Sequence, residues 1–362
     1  MSNQYCKFLT NGMRLQSEYG RLRAQPCCVH PDMTYLDEDK FDERMKRFHD
    51  LDLCLYCDGH GTDSVNVLRE FSKQRVTGDI PNGKVAYLEL AIDNDCNAAC
   101  LSCNEIFSST WIAQNKKFKI KSEHDYPDPQ DNQAVIAQIF DKLDLSELQQ
   151  VRFFGGEPFR SGTTELFLEK LTNSMDVSKI EVYFTTNASL EPNNHMVEMI
   201  KKFKFVQVGF SIDGYGEQND YLRYPLTWKF IEEAIDQFKS IKIDSRFEVN
   251  FTVNGLNAYY ADRVVDWAQE KFRNTNFDRV NFSVAFGIMN PSTICDELKD
   301  AINIKFADDP RFKQLLDVVN QWQYSPENTA SFVKYLTKWD QFRKNSWTDT
   351  FPEMIPYYQK YI

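Results

Sequence analysis

Cys96, Cys100 and Cys103 stand in the spacing C-x3-C-x2-C, inside Asp95-Cys96-Asn97-Ala98-Ala99-Cys100-Leu101-Ser102-Cys103-Asn104. Three thiolates can hold three corners of a cubic iron–sulfur cluster and leave the fourth iron open to a small molecule. A closed cluster normally takes four cysteines, so a group of three points to chemistry at the cluster rather than electron storage. Zinc is the competing reading of closely spaced cysteines, and the spacing alone leaves both open.

Downstream, the apolar run Val151 to Phe154 ends in Gly155-Gly156-Glu157-Pro158. Glycines permit positive φ and a close approach of backbone to a ligand, and the glutamate can accept a hydrogen bond from an ammonium group. Phe184-Thr185-Thr186-Asn187 and Gly209-Phe210-Ser211-Ile212-Asp213-Gly214 repeat the pattern of an apolar run ending in small or polar residues.

The cysteine triplet, Gly155-Gly156-Glu157-Pro158, Thr186-Asn187 and Ser211-Ile212-Asp213-Gly214, in this order, resemble the radical S-adenosylmethionine (SAM) enzymes. Four motifs in order carry far more weight than any one. Ser108-Ser109-Thr110-Trp111 and Asp220-Tyr221-Leu222-Arg223-Tyr224-Pro225-Leu226-Thr227-Trp228 further resemble a subgroup with a twitch domain, a shortened relative of the SPASM domain. Many members of that subgroup are encoded by bacteriophages or marine bacteria. The resemblance covers about residues 5–290.

The resemblance implies roles. Cys96, Cys100 and Cys103 would ligate a catalytic [4Fe-4S] cluster. Gly155, Gly156 and Glu157 would meet the SAM amino group through backbone and carboxylate. Thr186, Asn187 and Ser211 would face the ribose or methionine portion. Asp213 would join them or simply form an Asp-Gly turn. Arg223 would pair with the SAM carboxylate in two hydrogen bonds, or form a surface ion pair with Glu217 or Asp220. Trp111 and Trp228 match subgroup positions, with packing the expected job of each. The implied activity is reductive cleavage of SAM to a 5′-deoxyadenosyl radical, which takes a hydrogen atom from a peptide or small-metabolite substrate. The electron would come from an external donor of flavodoxin or ferredoxin type. Two departures stand out: Ser102 replaces a usually aromatic or large residue, and Asp58 is the nearest candidate for an acid expected after Cys57.

The chain has nine cysteines and no secretion signal, which does not read as a disulfide framework. A reducing, cytoplasmic setting with metal-bound thiolates fits better. Cys6, Cys27, Cys28, Cys54 and Cys57 form a second constellation, in which the C-x2-C pair and two earlier cysteines close a site. By resemblance this is a twitch-like domain with an auxiliary iron–sulfur cluster, here ahead of the catalytic domain; structural zinc is its rival. Adjacent side chains on extended backbone point apart, so one of Cys27 and Cys28 suffices. His30 reads as a surface histidine before a ligand, and Cys295 as an isolated thiol.

The elements that must position these residues alternate. Residues 85–93, 151–154, 179–185, 205–212, 247–253 and 279–286 read as strands. Between them lie helical stretches such as 228–241, with Trp228, Ile231, Ile235, Phe238 and Ile241 on one stripe. Alternation implies parallel βα units, and six of them suggest a partial (βα)6 TIM-like barrel with its motifs at one end of the strands. The expected division is 1–78 twitch-like domain, 79–290 barrel and 291–362 helical extension. Gly12 and Gly20 read as turn residues of an N-terminal hairpin, Asp125 to Gln133 as a surface loop, and Pro352 and Pro356 as breaks in the tail. A net charge of −11 argues against phosphate-backbone binding, and no apolar run approaches the ~20 residues that span a bilayer. The alternative from another class is a non-catalytic zinc or iron–sulfur protein for binding or electron transfer.

Overall fold

Alternating residues on a strand face opposite sides of a sheet. Here that rule separates a greasy face from a charged one. The computed structural model describes residues 7–18, 21–26, 33–39, 41, 43, 72–121 and 131–362. Its strands are β1 (Gly12–Glu18), β2 (Arg21–Gln25), β3 (Thr34–Tyr35), β4 (Tyr87–Ala91), β5 (Gln150–Phe153), β6 (Glu181–Thr186), β7 (Phe205–Ser211), β8 (Ser245–Val253) and β9 (Phe277–Val284). They form one nine-stranded sheet in the order β3-β2-β1-β4-β5-β6-β7-β8-β9. The pairs from β1–β4 through β8–β9 are parallel, while β1–β2 and β2–β3 are antiparallel. All six strands expected from periodicity are present as β4 to β9, and the fold is mixed α/β.

One face is apolar. Val151, Phe153, Val182, Phe184, Val208 and Phe210 are buried on it. The helices that return the chain between strands supply the partners. Phe167 of helix Gly162–Ser174 meets Phe153 at 5.6 Å, and Phe238 of helix Trp228–Ser240 meets Phe210 at 5.4 Å. Each such buried side chain contributes about 1.5–3 kcal/mol. Ile231, Ile235 and Phe238 are buried as the stripe requires.

The other face is polar and internally bonded. The Arg152 guanidinium donates to the Tyr87 hydroxyl at 3.0 Å and lies 3.4 Å from Glu89, which Arg14 approaches at 3.6 Å. Gln207 donates to Glu248 at 3.0 Å, and Asn250 donates to the Tyr183 hydroxyl at 3.1 Å. Burying these groups is tolerable because each has a partner.

The N-terminal strands are continuous with this sheet, with Gly12 to Gln16 in register with Tyr87 to Ala91. Gly12 opens β1 rather than turning the hairpin. A Cβ on Gly12 would lie 2.7 Å from the carbonyl oxygens of both Phe8 and Pro26, so the short helix Lys7–Asn11 and the end of β2 close over it. Asp131 caps helix Asn132–Lys142, so Asn132 and Gln133 are helical, not loop. Pro352 and Pro356 sit in the first turns of Pro352–Met354 and Ile355–Tyr358, where a missing N–H costs nothing. Cys6, Cys27, Cys28, Cys54, Cys57, His30, Asp58, Gly20 and the stretch 125–130 of the expected surface loop lie outside the described residues. No helix among the described residues is long and apolar enough to cross a membrane.

Gly12→Ala is expected to destabilise the protein by about 1–3 kcal/mol, because the opposing atoms are backbone and cannot swing away. A lower urea midpoint at unchanged slope is the signature; an unchanged midpoint would refute the steric account.

Candidate functional site

The segment after β4 leaves the sheet without forming a helix, yet Cys96, Ala98, Ala99, Cys100 and Leu101 are all buried. Buried backbone must find partners, and this loop draws them from distant parts of the chain. The Cys96 carbonyl accepts from the Thr110 hydroxyl at 2.6 Å, and the Cys100 carbonyl from the Trp111 indole N–H at 3.0 Å. The Ala98 carbonyl accepts from the Ser108 hydroxyl, which also caps helix Ser109–Lys117. On the donor side, the Ala99 and Leu101 amides bond the carbonyls of Tyr224 and Leu222 at 2.6 and 2.8 Å. Helix Pro326–Arg343 closes the remaining side: Tyr335 donates to the Leu101 carbonyl at 3.1 Å and Arg343 to the Ala99 carbonyl at 2.7 Å.

The loops after β5, β6 and β7 meet this segment. Gly155 and Gly156 have φ of +78° and +63°. A Cβ on Gly155 would stand 2.8 Å from the Ala91 Cβ, and one on Gly156 2.8 Å from Asp93 Oδ1. Both glycines therefore serve loop-to-loop contact, whatever else approaches them. The Glu157 amide donates to the Asp95 carbonyl at 2.8 Å. The Glu157 side chain is fully buried. It accepts from the Thr186 hydroxyl and the Asn187 amide, each at 2.7 Å, and from the Phe159 amide at 3.3 Å.

Asn187 reaches the cysteines directly. Its Nδ2 donates to Asn97 Oδ1 at 2.8 Å and lies 3.9 Å from Cys96 Sγ. Its Oδ1 accepts from the Ser189 amide at 3.0 Å, which holds Ala188 at φ +61°. Ser211 ends β7, half-buried, on the polar face with Gln207 and Gly209. Asp213 is engaged on every side. Its carboxylate takes the Arg223 guanidinium and the Thr252 amide, each at 2.7 Å, its amide donates to Asn219 Oδ1, and its carbonyl accepts from Asn257. Arg223 thus forms a buried ion pair with Asp213 instead of a surface pair with Glu217 or Asp220. Trp111 has both a packing role, edge-on to Trp339 at 4.7 Å, and a bonding one. Trp228 packs between Tyr215 and Trp267.

Electrostatics sharpen the picture. Burial pushes the Cys96 and Cys103 thiols up to about 12 and raises Cys100 as well, while Arg223 and Arg343 pull Cys100 back down. Left alone, the thiols keep their protons; a bound metal would displace them. Nε of Arg223 and Nη1 of Arg343 are buried donors with no partner among the described residues. Three desolvated thiols beside two orphaned cationic donors fit an anionic thiolate-ligated group. Among the described residues, no three His, Cys, Asp or Glu side chains are gathered as ligands of one metal ion.

The structure therefore brings together Cys96, Cys100, Cys103, Gly155, Gly156, Glu157, Thr186, Asn187, Asp213 and Arg223. Sequence reasoning missed Arg343, Gln114, Asn97 and Asn257. Arg343 carries no sequence signal beyond a basic residue in the last turn of a helix.

No family model and no curated protein matches the chain. Among solved structures, it is similar to native anSMEcpe with bound AdoMet, at 18% identity and a TM-score of 0.38 over 66% of this chain and 62% of that one. It is also similar to Streptococcus suis SuiB bound to S-adenosylmethionine, at 13% identity and 0.39 over 91% and 69%. SuiB bound to precursor peptide SuiA gives 16% identity and 0.38 over 81% and 56%. The chain spans about three fifths of the first of these, with 62% of that chain matched.

Burial raises the Glu157 carboxyl to about 7, against the hydrogen bonds from Asn187, Thr186 and Phe159 that favour its ionised form. Between about pH 4.5 and 7 the unfolded chain loses this proton and the folded chain keeps it. Stability relative to Glu157→Gln should therefore fall as pH rises through that window, by about 3–4 kcal/mol at ~1.4 kcal/mol per pH unit, and level off above it. Urea unfolding of both proteins across pH 4–8 checks this; parallel curves would contradict it.

Proposed function

We propose that the chain is a radical SAM enzyme, built on a partial barrel at 79–290 with a twitch-like region at 1–78 and a helical extension at 291–362. The observation that carries this is convergence: four separately encoded loops, after β4, β5, β6 and β7, interlock around the buried Cys96 and Cys100 and the half-buried Cys103 at one end of the parallel strands. In parallel sheets that end is where ligands are handled.

In this reading Cys96, Cys100 and Cys103 hold a [4Fe-4S] cluster. Such a cluster would supply the one electron that cleaves SAM to methionine and a 5′-deoxyadenosyl radical, the acceptor of a substrate hydrogen atom. The residues do the rest. The loop clamp keeps the three thiols in fixed relation. Gly155 and Gly156 bring backbone close to the centre, and Glu157 bolts that loop onto Thr186 and Asn187. Because the Glu157 carboxylate is already spent on these bonds, contact with the SAM amino group falls to the backbone around it. Ser211 faces the ribose or methionine portion, while Thr186 and Asn187, held by Glu157 and Asn97, form the wall beside it. Arg223, with one free N–H, can reach the SAM carboxylate while keeping Asp213. Burial excludes water from the reacting centre.

Cys6, Cys27 or Cys28, Cys54 and Cys57 would hold an auxiliary iron–sulfur cluster, with zinc as the rival metal. The substrate class is a peptide or small metabolite, the electron donor a flavodoxin- or ferredoxin-type protein, and the compartment a reducing cytoplasm.

Anaerobically reconstituted protein, reduced with dithionite and given SAM, should release 5′-deoxyadenosine. Cys96→Ala should abolish the release and Cys54→Ala should leave part of it. Equal loss from both variants would contradict the division between the two sites. A colourless, zinc-containing protein with no release would establish the binding-module alternative.

A further inference from the structure

Arg343 is a buried cation that forms no ion pair among the described residues. Its guanidinium donates to the Ala99 carbonyl at 2.7 Å and to Gln114 Oε1 at 3.2 Å, both neutral acceptors. Its carbon stands 4.7 Å from the Tyr224 ring centroid, 4.9 Å from Trp339 and 5.2 Å from Trp111. Ring faces and the C-terminal end of its own helix make a cation tolerable without cancelling it. Asp340, one turn back, is occupied by the Tyr221 hydroxyl and the Trp347 amide. Arg223, the other guanidinium near the thiols, is neutralised by Asp213. Arg343 thus sets a guanidinium that makes no ion pair on the carbonyl of Ala99, the residue before Cys100, with the Asp340 carboxylate beyond contact distance. An unpaired buried charge is costly, and it is retained where an anion will arrive.

We propose that Arg343 is a positioning residue that ties the cysteine loop to helix Pro326–Arg343 and favours the reduced, more negative form of the cluster held there. This rests on the functional reading above. A positive charge in a poorly screened interior stabilises the state that carries the additional electron. Gln114 offers a clean way to remove that charge. Gln114→Glu has the same shape, keeps both hydrogen bonds to Arg343, and converts the lone cation into a neutral pair.

The experiment uses the full chain, reconstituted anaerobically with iron and sulfide, as wild type, Gln114→Glu and Arg343→Lys. Iron and sulfide content and cluster absorbance are measured first, then the one-electron midpoint by a mediator titration followed by electron paramagnetic resonance, without SAM. Gln114→Glu should disfavour reduction about tenfold, a midpoint about 59 mV more negative. Arg343→Lys, which keeps the charge, should remain close to wild type. If Gln114→Glu fails to load, Arg343→Gln removes the same charge by the other partner. A wild-type midpoint in the neutralised variant overturns the inference alone. A wild type that takes up no cluster overturns the functional reading beneath it.

Discussion

A chain that enters the protein interior without secondary structure must find a partner for each N–H and C=O it carries, because each one left bare costs about 1–3 kcal/mol. The segment from Cys96 to Cys103 meets this demand largely from outside itself, with the Cys103 amide bonding the Cys100 carbonyl at 3.0 Å within it. Its carbonyls are taken by Thr110, Ser108, Trp111, Arg343 and Tyr335, and its amides reach the carbonyls of Leu222 and Tyr224. The thiols are therefore held in place by residues spread over more than two hundred positions. The same bonds explain why helix Pro326–Arg343 belongs to the centre rather than to a peripheral tail.

Charge in this interior is managed in three different ways. Asp213 and Arg223 neutralise each other at 2.7 Å. Glu157 receives only neutral donors, so burial dominates and its carboxyl is raised to about 7. Arg343 is surrounded by aromatic faces and carbonyls, so its charge persists. A polar centre built this way is stiff: moving any one group would strip a hydrogen bond or a counter-charge from another.

Much of the architecture was legible in the chain. Period-two alternation in segments such as Phe205 to Ser211 marked β4 to β9, because one face of each strand is greasy and the other is not. The apolar stripe of helix Trp228–Ser240 was equally plain. The use of particular motif residues was less so. Gly155 and Gly156 look like a ligand cradle in sequence, but Ala91 and Asp93 press against them. Gly12 looks like a turn residue, but two carbonyls crowd it. Side chains with several possible partners are settled by what stands nearby, and proximity across a sheet is not written in local order.

By itself the sequence determined the alternating elements, the order of the motif loops and the trio of central thiols, since periodicity and spacing are local properties. Only the tertiary structure decided that Arg223 turns inward to Asp213, that Glu157 is spent on Thr186 and Asn187, and that Arg343 arrives from the far end of the chain to sit beside Cys100. The physical reason is that hydrogen bonds and charge pairs form between groups within a few ångströms, and folding alone determines which distant residues come that close.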